Sequence, residues 1–89
     1  MSERITQDEI RGRLVDMVAR ALNSPPHGIR CDILFSKLEL DSMAVVDIST
    51  QLETWLHMDI EPDIVWDHPT IDAMASHLAE QYLARASSG

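Results

Sequence analysis

Eighty-nine residues with seven basic and fifteen acidic side chains carry a net charge of −8, which excludes a nucleic-acid grip built on basic residues, because phosphate binding is driven by cationic neutralisation. A chain this short builds one small domain with one core and leaves little room for a deep catalytic cleft. Its single cysteine, Cys31, excludes an internal disulfide and a thiolate metal cluster, and its plainest reading is a partly buried thiol in a loop. No apolar run approaches the roughly 20 residues that cross a bilayer, and the opening Met1-Ser2-Glu3-Arg4 is polar and lacks a signal-peptide core. A soluble, cytoplasmic monomer is expected, with neither membrane nor nucleic acid among its partners.

The first predicted element opens at a capping box, Thr6-Gln7-Asp8-Glu9, with Ile5 and Ile10 spaced as a hydrophobic staple. Ile10, Leu14, Met17, Val18 and Ala21 recur at helical spacing until Asn23-Ser24-Pro25-Pro26-His27-Gly28 breaks the pattern, so a helix is predicted over about 7–22. Residues 24–40 then form a long connection without a sustained period. Ile33, Leu34, Phe35, Leu38 and Leu40 make it apolar enough to pack on a core, and a loop this long in a small domain is functional more often than idle.

A second helix is predicted from Asp41 or Ser42 to about Leu56. At about 100° per residue with Ser42 at zero, Val45, Ile48, Leu52, Trp55 and Leu56 fall between about 220° and 320°, one apolar stripe facing the core. Met43, Val46, Asp47, Thr50 and Thr54 lie on the other side, so two apolar residues and an acid flank Ser42 on an outward face. A short helical segment is expected at Asp63-Ile64-Val65-Trp66, after Pro62. Asp67-His68-Pro69 ends it, and Thr70 is the predicted N-cap of a last helix whose buried face is Ile71, Met74, Ala75, Leu78 and Tyr82, running to about Ala84. Residues 1–4 and 86–89 read as flexible ends around a domain of 5–85. The predicted fold is all-α, a small bundle of three main amphipathic helices plus a short fourth before the last, with a long first loop.

Charge follows this organisation. Up to Leu40, six basic residues balance six acidic ones, whereas from Asp41 onward Arg85 alone opposes Asp41, Asp47, Glu53, Asp59, Glu61, Asp63, Asp67, Asp72 and Glu80. The acidic half would repel nucleic acid and attract basic patches on protein partners, speeding encounter and excluding wrong ones.

No nucleophilic enzyme emerges. There is no Gly-x-Ser-x-Gly elbow, and His27, His57, His68 and His77 occur singly, with nothing to designate a base and no metal-ligand spacing. His68, in the Asp67-His68-Pro69-Thr70 turn, is expected to make a structural hydrogen bond. Taken by itself, Ser42 is a helix-start serine, and capping is the ordinary role of such a residue.

Leu38-Glu39-Leu40-Asp41-Ser42-Met43 nevertheless closely resembles the attachment site of acyl carrier proteins, and the resemblance extends along the chain through Ile60-Glu61-Pro62 and Trp66-Asp67-His68-Pro69-Thr70 to carrier domains of polyketide synthases. It implies a 4′-phosphopantetheine arm from coenzyme A on Ser42, thioester-linked acyl cargo, and a protein that delivers substrate and catalyses nothing. Asp41 is implied as helix cap and as a recognition point for the phosphopantetheinyl transferase. Met43, Val46, Asp47 and Glu53 are implied as docking residues for ketosynthases, acyltransferases or tailoring enzymes, with the acids of 59–67 as a second contact region. Such pathways include antibiotic biosynthesis. Two positions depart from the family pattern: Glu39 where glycine is usual, which raises the question of backbone strain, and Met43 where leucine is usual, a change close in volume. Peptidyl carriers usually have a nonacidic residue before the serine, so Asp41 favours acyl cargo. A peptidyl carrier of a nonribosomal peptide synthetase and an unmodified helical interaction module remain as alternatives.

Physical chemistry is compatible with such an arm. A phosphodiester at the first turn of a helix meets free backbone N–H groups and the positive end of the helix dipole, worth about 0.3–1 kcal/mol when exposed. The Asp41 carboxylate opposes that phosphate unless it is turned toward the helix amides as a cap.

Overall fold

The structure, a computed structural model, describes residues 5–38 and 40–88, with side chains described through residue 85. Thr6 starts the first helix, α1 (Gln7–Leu22), its Oγ1 accepting the Glu9 N–H at 3.2 Å. Ile5 packs against the core beneath this cap, as a staple should. The helix ends in a left-handed residue, Asn23 (φ 55°). The Asn23 and Ser24 N–H groups turn back to the Arg20 and Ala19 carbonyls at 3.2 and 2.9 Å, the paired bonds of a Schellman motif.

The long connection is more ordered than its lack of period suggests. Two 3₁₀ turns, Pro26–Gly28 and Phe35–Lys37, break it up, and Phe35 is buried in the core. It is also stitched to the far end of the sequence. The Phe35 N–H donates to the Pro69 carbonyl at 2.7 Å, the Asp72 N–H donates to the Cys31 carbonyl at 3.1 Å, and Leu34 makes an isolated antiparallel bridge with Thr70. Leu34 stands exposed instead of packing inward as its apolar character predicts. Its backbone is extended, so with Phe35 turned to the core its own side chain is thrown to the opposite side.

The second helix, α2, spans Ser42–Leu56. Ile48, Leu52 and Leu56 from the predicted stripe are buried, while Val45 and Trp55 are partly covered at its margins. Trp55 carries the Arg13 guanidinium at 4.7 Å from its ring centre, a cation–π contact that ties α2 to α1. Ser49, the one buried polar residue described, returns its hydroxyl to the Val46 carbonyl at 2.8 Å and so leaves no unsatisfied group.

A short helix, α3 (Ile64–Asp67), follows Pro62 as predicted, and Thr70 caps the last helix, α4 (Ile71–Ser88), by accepting the Ala73 N–H at 3.0 Å. This helix continues to Ser88 rather than stopping near Ala84, since alanine and arginine propagate a helix well and no breaker intervenes. It pairs chiefly with α1. Ile10, Leu14 and Val18 of α1, Leu52 of α2, and Ile71, Met74 and Leu78 of α4 are almost completely excluded from solvent and form the centre of one core. Among the described residues there are four helices and no strand, and no helix is long and apolar enough to cross a membrane.

Candidate functional site

Ser42 occupies the first helical position of α2, behind an N-cap formed by Asp41. The Asp41 Oδ1 accepts the Ala44 N–H at 2.7 Å, and the Asp41 carbonyl accepts the Val45 N–H at 3.1 Å. The carboxylate is thus turned into the helix, which resolves the tension between its charge and any phosphate beside it. The Ser42 and Met43 N–H groups have no partner among the described residues, and the Ser42 side chain is exposed and makes no hydrogen bond among them. An exposed hydroxyl beside two backbone donors without partners among the described residues is an arrangement that favours a phosphodiester. The residues present therefore fit a phosphopantetheine arm.

Around this point the outward face of α2 is apolar and acidic. Met43 is 81 % exposed and Val46 48 % exposed, and Trp66 of α3 is 73 % exposed across from them. Asp47 is exposed on the same face. Sequence places Trp66 on the short helix but assigns it to no surface, and its neighbourhood with Val46 emerges only when α3 folds against α2. Two grooves open at Ser42. One, of about 790 Å³, runs between α2 and the last turn of α1 and is lined by Met17, Arg20, Asp41, Ser42, Asp47, Thr50 and Gln51, among others. The other, of about 400 Å³, runs toward α3 and is lined mainly by apolar groups, including Phe35, Leu40, Val45, Val46, Val65 and Trp66. Both volumes lie within the roughly 300–1,000 Å³ typical of small-molecule sites.

Glu53, half-buried farther along α2, has a partner within the chain. Its Oε2 accepts the Ile60 N–H at 2.8 Å, so the carboxylate is committed to fastening the segment after α2 back onto the helix. Glu53→Ala should leave that partly buried N–H unpaired and cost about 1–3 kcal/mol, whereas Glu53→Gln keeps an acceptor and should cost less; chemical denaturation of the two variants measures the difference.

His68 makes a structural hydrogen bond in its turn, its backbone N–H donating to the Ile64 carbonyl at 2.9 Å. Its ring in addition stacks on His77 of α4, with centroids 3.9 Å apart and planes 17° from parallel, a contact the sequence did not suggest. Cys31 is the partly buried loop thiol foreseen; burial, reinforced by Asp72, pushes its pKa up, so it stays protonated and weakly nucleophilic. No group of three or more metal-ligating side chains occurs among the described residues. Glu39, the departure from the glycine of the family pattern, lies outside the described residues.

Comparison with known proteins accords with this geometry. Residues 12–78 match the family of the phosphopantetheine attachment site. The chain is 32 % identical over 88 residues to the polyketide synthase GfsA of Streptomyces halstedii, covering 97 % of this chain and 1 % of that protein. It is 38 % identical over 64 residues to the pikromycin polyketide synthase component PikAIII of Streptomyces venezuelae, covering 72 % of this chain and 4 % of that one. It therefore spans a very small part of these relatives. Among solved structures, a free-standing peptidyl carrier protein from Acinetobacter baumannii superposes with a TM-score of 0.83 at 29 % identity, over 85 % of this chain and 95 % of its own. The HMG-ACPI domain of the CurA module from Lyngbya majuscula shares the fold, with a TM-score of 0.82 at 22 % identity over 97 % of this chain and 87 % of that domain. An exposed helix-start serine in a four-helix fold and a family match over most of the chain lead to one conclusion: the chain belongs to the phosphopantetheine attachment site family and is a carrier domain of the polyketide synthase type, whose prosthetic group is a covalently attached phosphopantetheine arm.

Proposed function

We propose that Ser42 is the residue that bears the arm and that this chain is a noncatalytic acyl carrier serving the enzymes of a polyketide-type assembly line. The observation that carries this reading is the Ser42 hydroxyl, exposed at the first turn of α2 beside two backbone N–H groups that have no partner among the described residues. When bound, the arm supplies a terminal thiol that holds acyl groups as thioesters and a long tether that raises their effective concentration at each partner.

This chain's own contribution is position and recognition. The base that accepts the serine proton is assigned to a phosphopantetheinyl transferase: neither groove that meets Ser42 is lined by a histidine or lysine, and the adjacent Asp41 carboxylate is engaged by the Ala44 N–H. Asp41 caps α2 at its first turn. Met43, Val46 and Trp66 offer apolar contact area, and Asp47 and Asp63 rim it with negative charge, a pattern complementary to basic-edged apolar patches on ketosynthases, acyltransferases or tailoring enzymes.

Intact mass after incubation with coenzyme A and a broad-specificity transferase tests the proposal: the wild-type chain should gain one phosphopantetheinyl unit, and no gain refutes it. Asp41 separates its two roles by substitution. Asp41→Ala should lose about 0.5–2 kcal/mol with the cap. Asp41→Asn keeps a good capping side chain, so its stability should hold while arm transfer slows, as followed by mass against time.

Peptidyl cargo is the second reading, favoured by the likeness to the Acinetobacter baumannii carrier. Asp41 and the polyketide synthase relatives support acyl cargo instead. Offering the arm-bearing protein to an acyltransferase and to an amino-acid-activating enzyme in parallel separates them, since the cognate one charges it.

A further inference from the structure

Two grooves meet at Ser42, and their charges differ in one respect. Among the described residues their linings contain the acids Asp41, Asp47 and Asp63, but only one cation, Arg20. Arg20 stands in the last turn of α1, exposed, and forms no ion pair or side-chain hydrogen bond among the described residues. The other arginines of α1 are occupied: Arg11 pairs with Asp8 and Asp72, and Arg13 lies over Trp55. Among the described residues, Arg20 therefore keeps an unengaged guanidinium on the wall of the groove that opens at Ser42.

We infer that Arg20 is a second anchor for the arm, its guanidinium pairing with the phosphodiester on Ser42 and drawing the arm into the groove between α1 and α2. This rests on the assignment of Ser42 above. The chemistry is favourable because the phosphate enters a surface dominated by carboxylates, where the one guanidinium without a partner among the described residues supplies charge-assisted hydrogen bonds. The rest of the wall suits the pantetheine portion of the arm. Thr50 and Gln51 offer a hydroxyl and an amide to the pantetheine hydroxyl and amides, whereas the groove toward α3 is lined mainly by apolar side chains. A bland role for Arg20 also exists, since a cation in the last turn complements the helix dipole, and that role predicts no response to the arm.

The experiment compares the ¹⁵N-labelled protein before and after arm attachment, with attachment verified by intact mass. Amides around Ser42 should shift in every variant that accepts the arm. In the wild type, the Arg20 side-chain Nε–H and the Ala21 and Leu22 amides should shift as well, and about 0.5 M salt should reverse those shifts by screening the pair. In Arg20→Gln the α1 shifts should vanish and the ³¹P resonance of the arm should move from its wild-type position. Arg20→Lys, which keeps the charge without the planar fork, should fall between, and Arg13→Gln should leave the ³¹P resonance unchanged. Unshifted α1 resonances together with a ³¹P signal indifferent to Arg20→Gln, in protein whose mass shows the arm, would overturn the inference while leaving Ser42 as the attachment point. Failure to gain the arm at all would remove both.

Discussion

Ser42→Ala is expected to abolish arm attachment completely while leaving the fold intact. Two observations separate chemistry from stability at this residue. The Ser42 side chain is exposed and makes no hydrogen bond among the described residues, and the cap of α2 is supplied by Asp41 instead. Alanine is the better helix former, so its stability should match that of the wild type to within about 0.5 kcal/mol. Circular dichroism and thermal melting of the unmodified proteins should therefore coincide, and intact mass after treatment with coenzyme A and transferase should differ by one phosphopantetheinyl unit. An equal mass gain on Ser42→Ala would move the attachment point elsewhere.

Leu52→Ala should do the opposite, harming the fold and leaving the chemistry of the site unchanged. Leu52 is fully buried at the centre of the core, among Ile10 and Leu14 of α1 and Met74 and Leu78 of α4. Truncating such a side chain costs about 2–5 kcal/mol through lost transfer energy and the cavity left behind. Domains of this size are stable by about 0.05–0.15 kcal/mol per residue, so the loss is a large share of the total and should lower the melting temperature by about 10 °C or more. Leu52→Met, close in volume, should cost less than about 1.5 kcal/mol. Arm attachment should fall only as far as the folded fraction does, which a folding titration run beside the mass assay will show. A Leu52→Ala protein that melts like the wild type would mean that α2 is not held by this residue.

Local rules carried most of what the sequence disclosed. Thr6, Asp41 and Thr70 are caps whose partners lie three residues ahead; α1 has the predicted ends because a cap and a proline break bound its periodic stretch, and α2 because it starts at the Asp41 cap and its apolar stripe stops at Leu56. The outward placement of Met43 and Val46 followed from helical spacing alone. What escaped depends on contacts distant in sequence. Leu34 faces solvent because its backbone pairs with Thr70, Glu53 accepts the Ile60 N–H, and His68 meets His77 nine positions along, none of which a local pattern records. Arg20 and Trp66 reach the neighbourhood of Ser42 only when α1 and α3 pack beside α2. An arginine in a helix's last turn reads as dipole compensation, so only the groove between the helices reveals what else it faces.

The stitching of Cys31, Leu34 and Phe35 to Pro69, Thr70 and Asp72 has a consequence for anyone recombining carrier domains. The connection that delivers the chain to Ser42 hangs on the entrance of the last helix, so the serine's setting depends on residues almost thirty positions downstream. A hybrid that joins the front half of one carrier to the back half of another, cut between Leu56 and Pro69, would mate a loop with a foreign anchor and tilt the serine relative to both grooves. Crossovers that keep residues 29–38 and 69–72 from the same parent should preserve the presentation, and the surface of α2 could then be exchanged as a separate cassette.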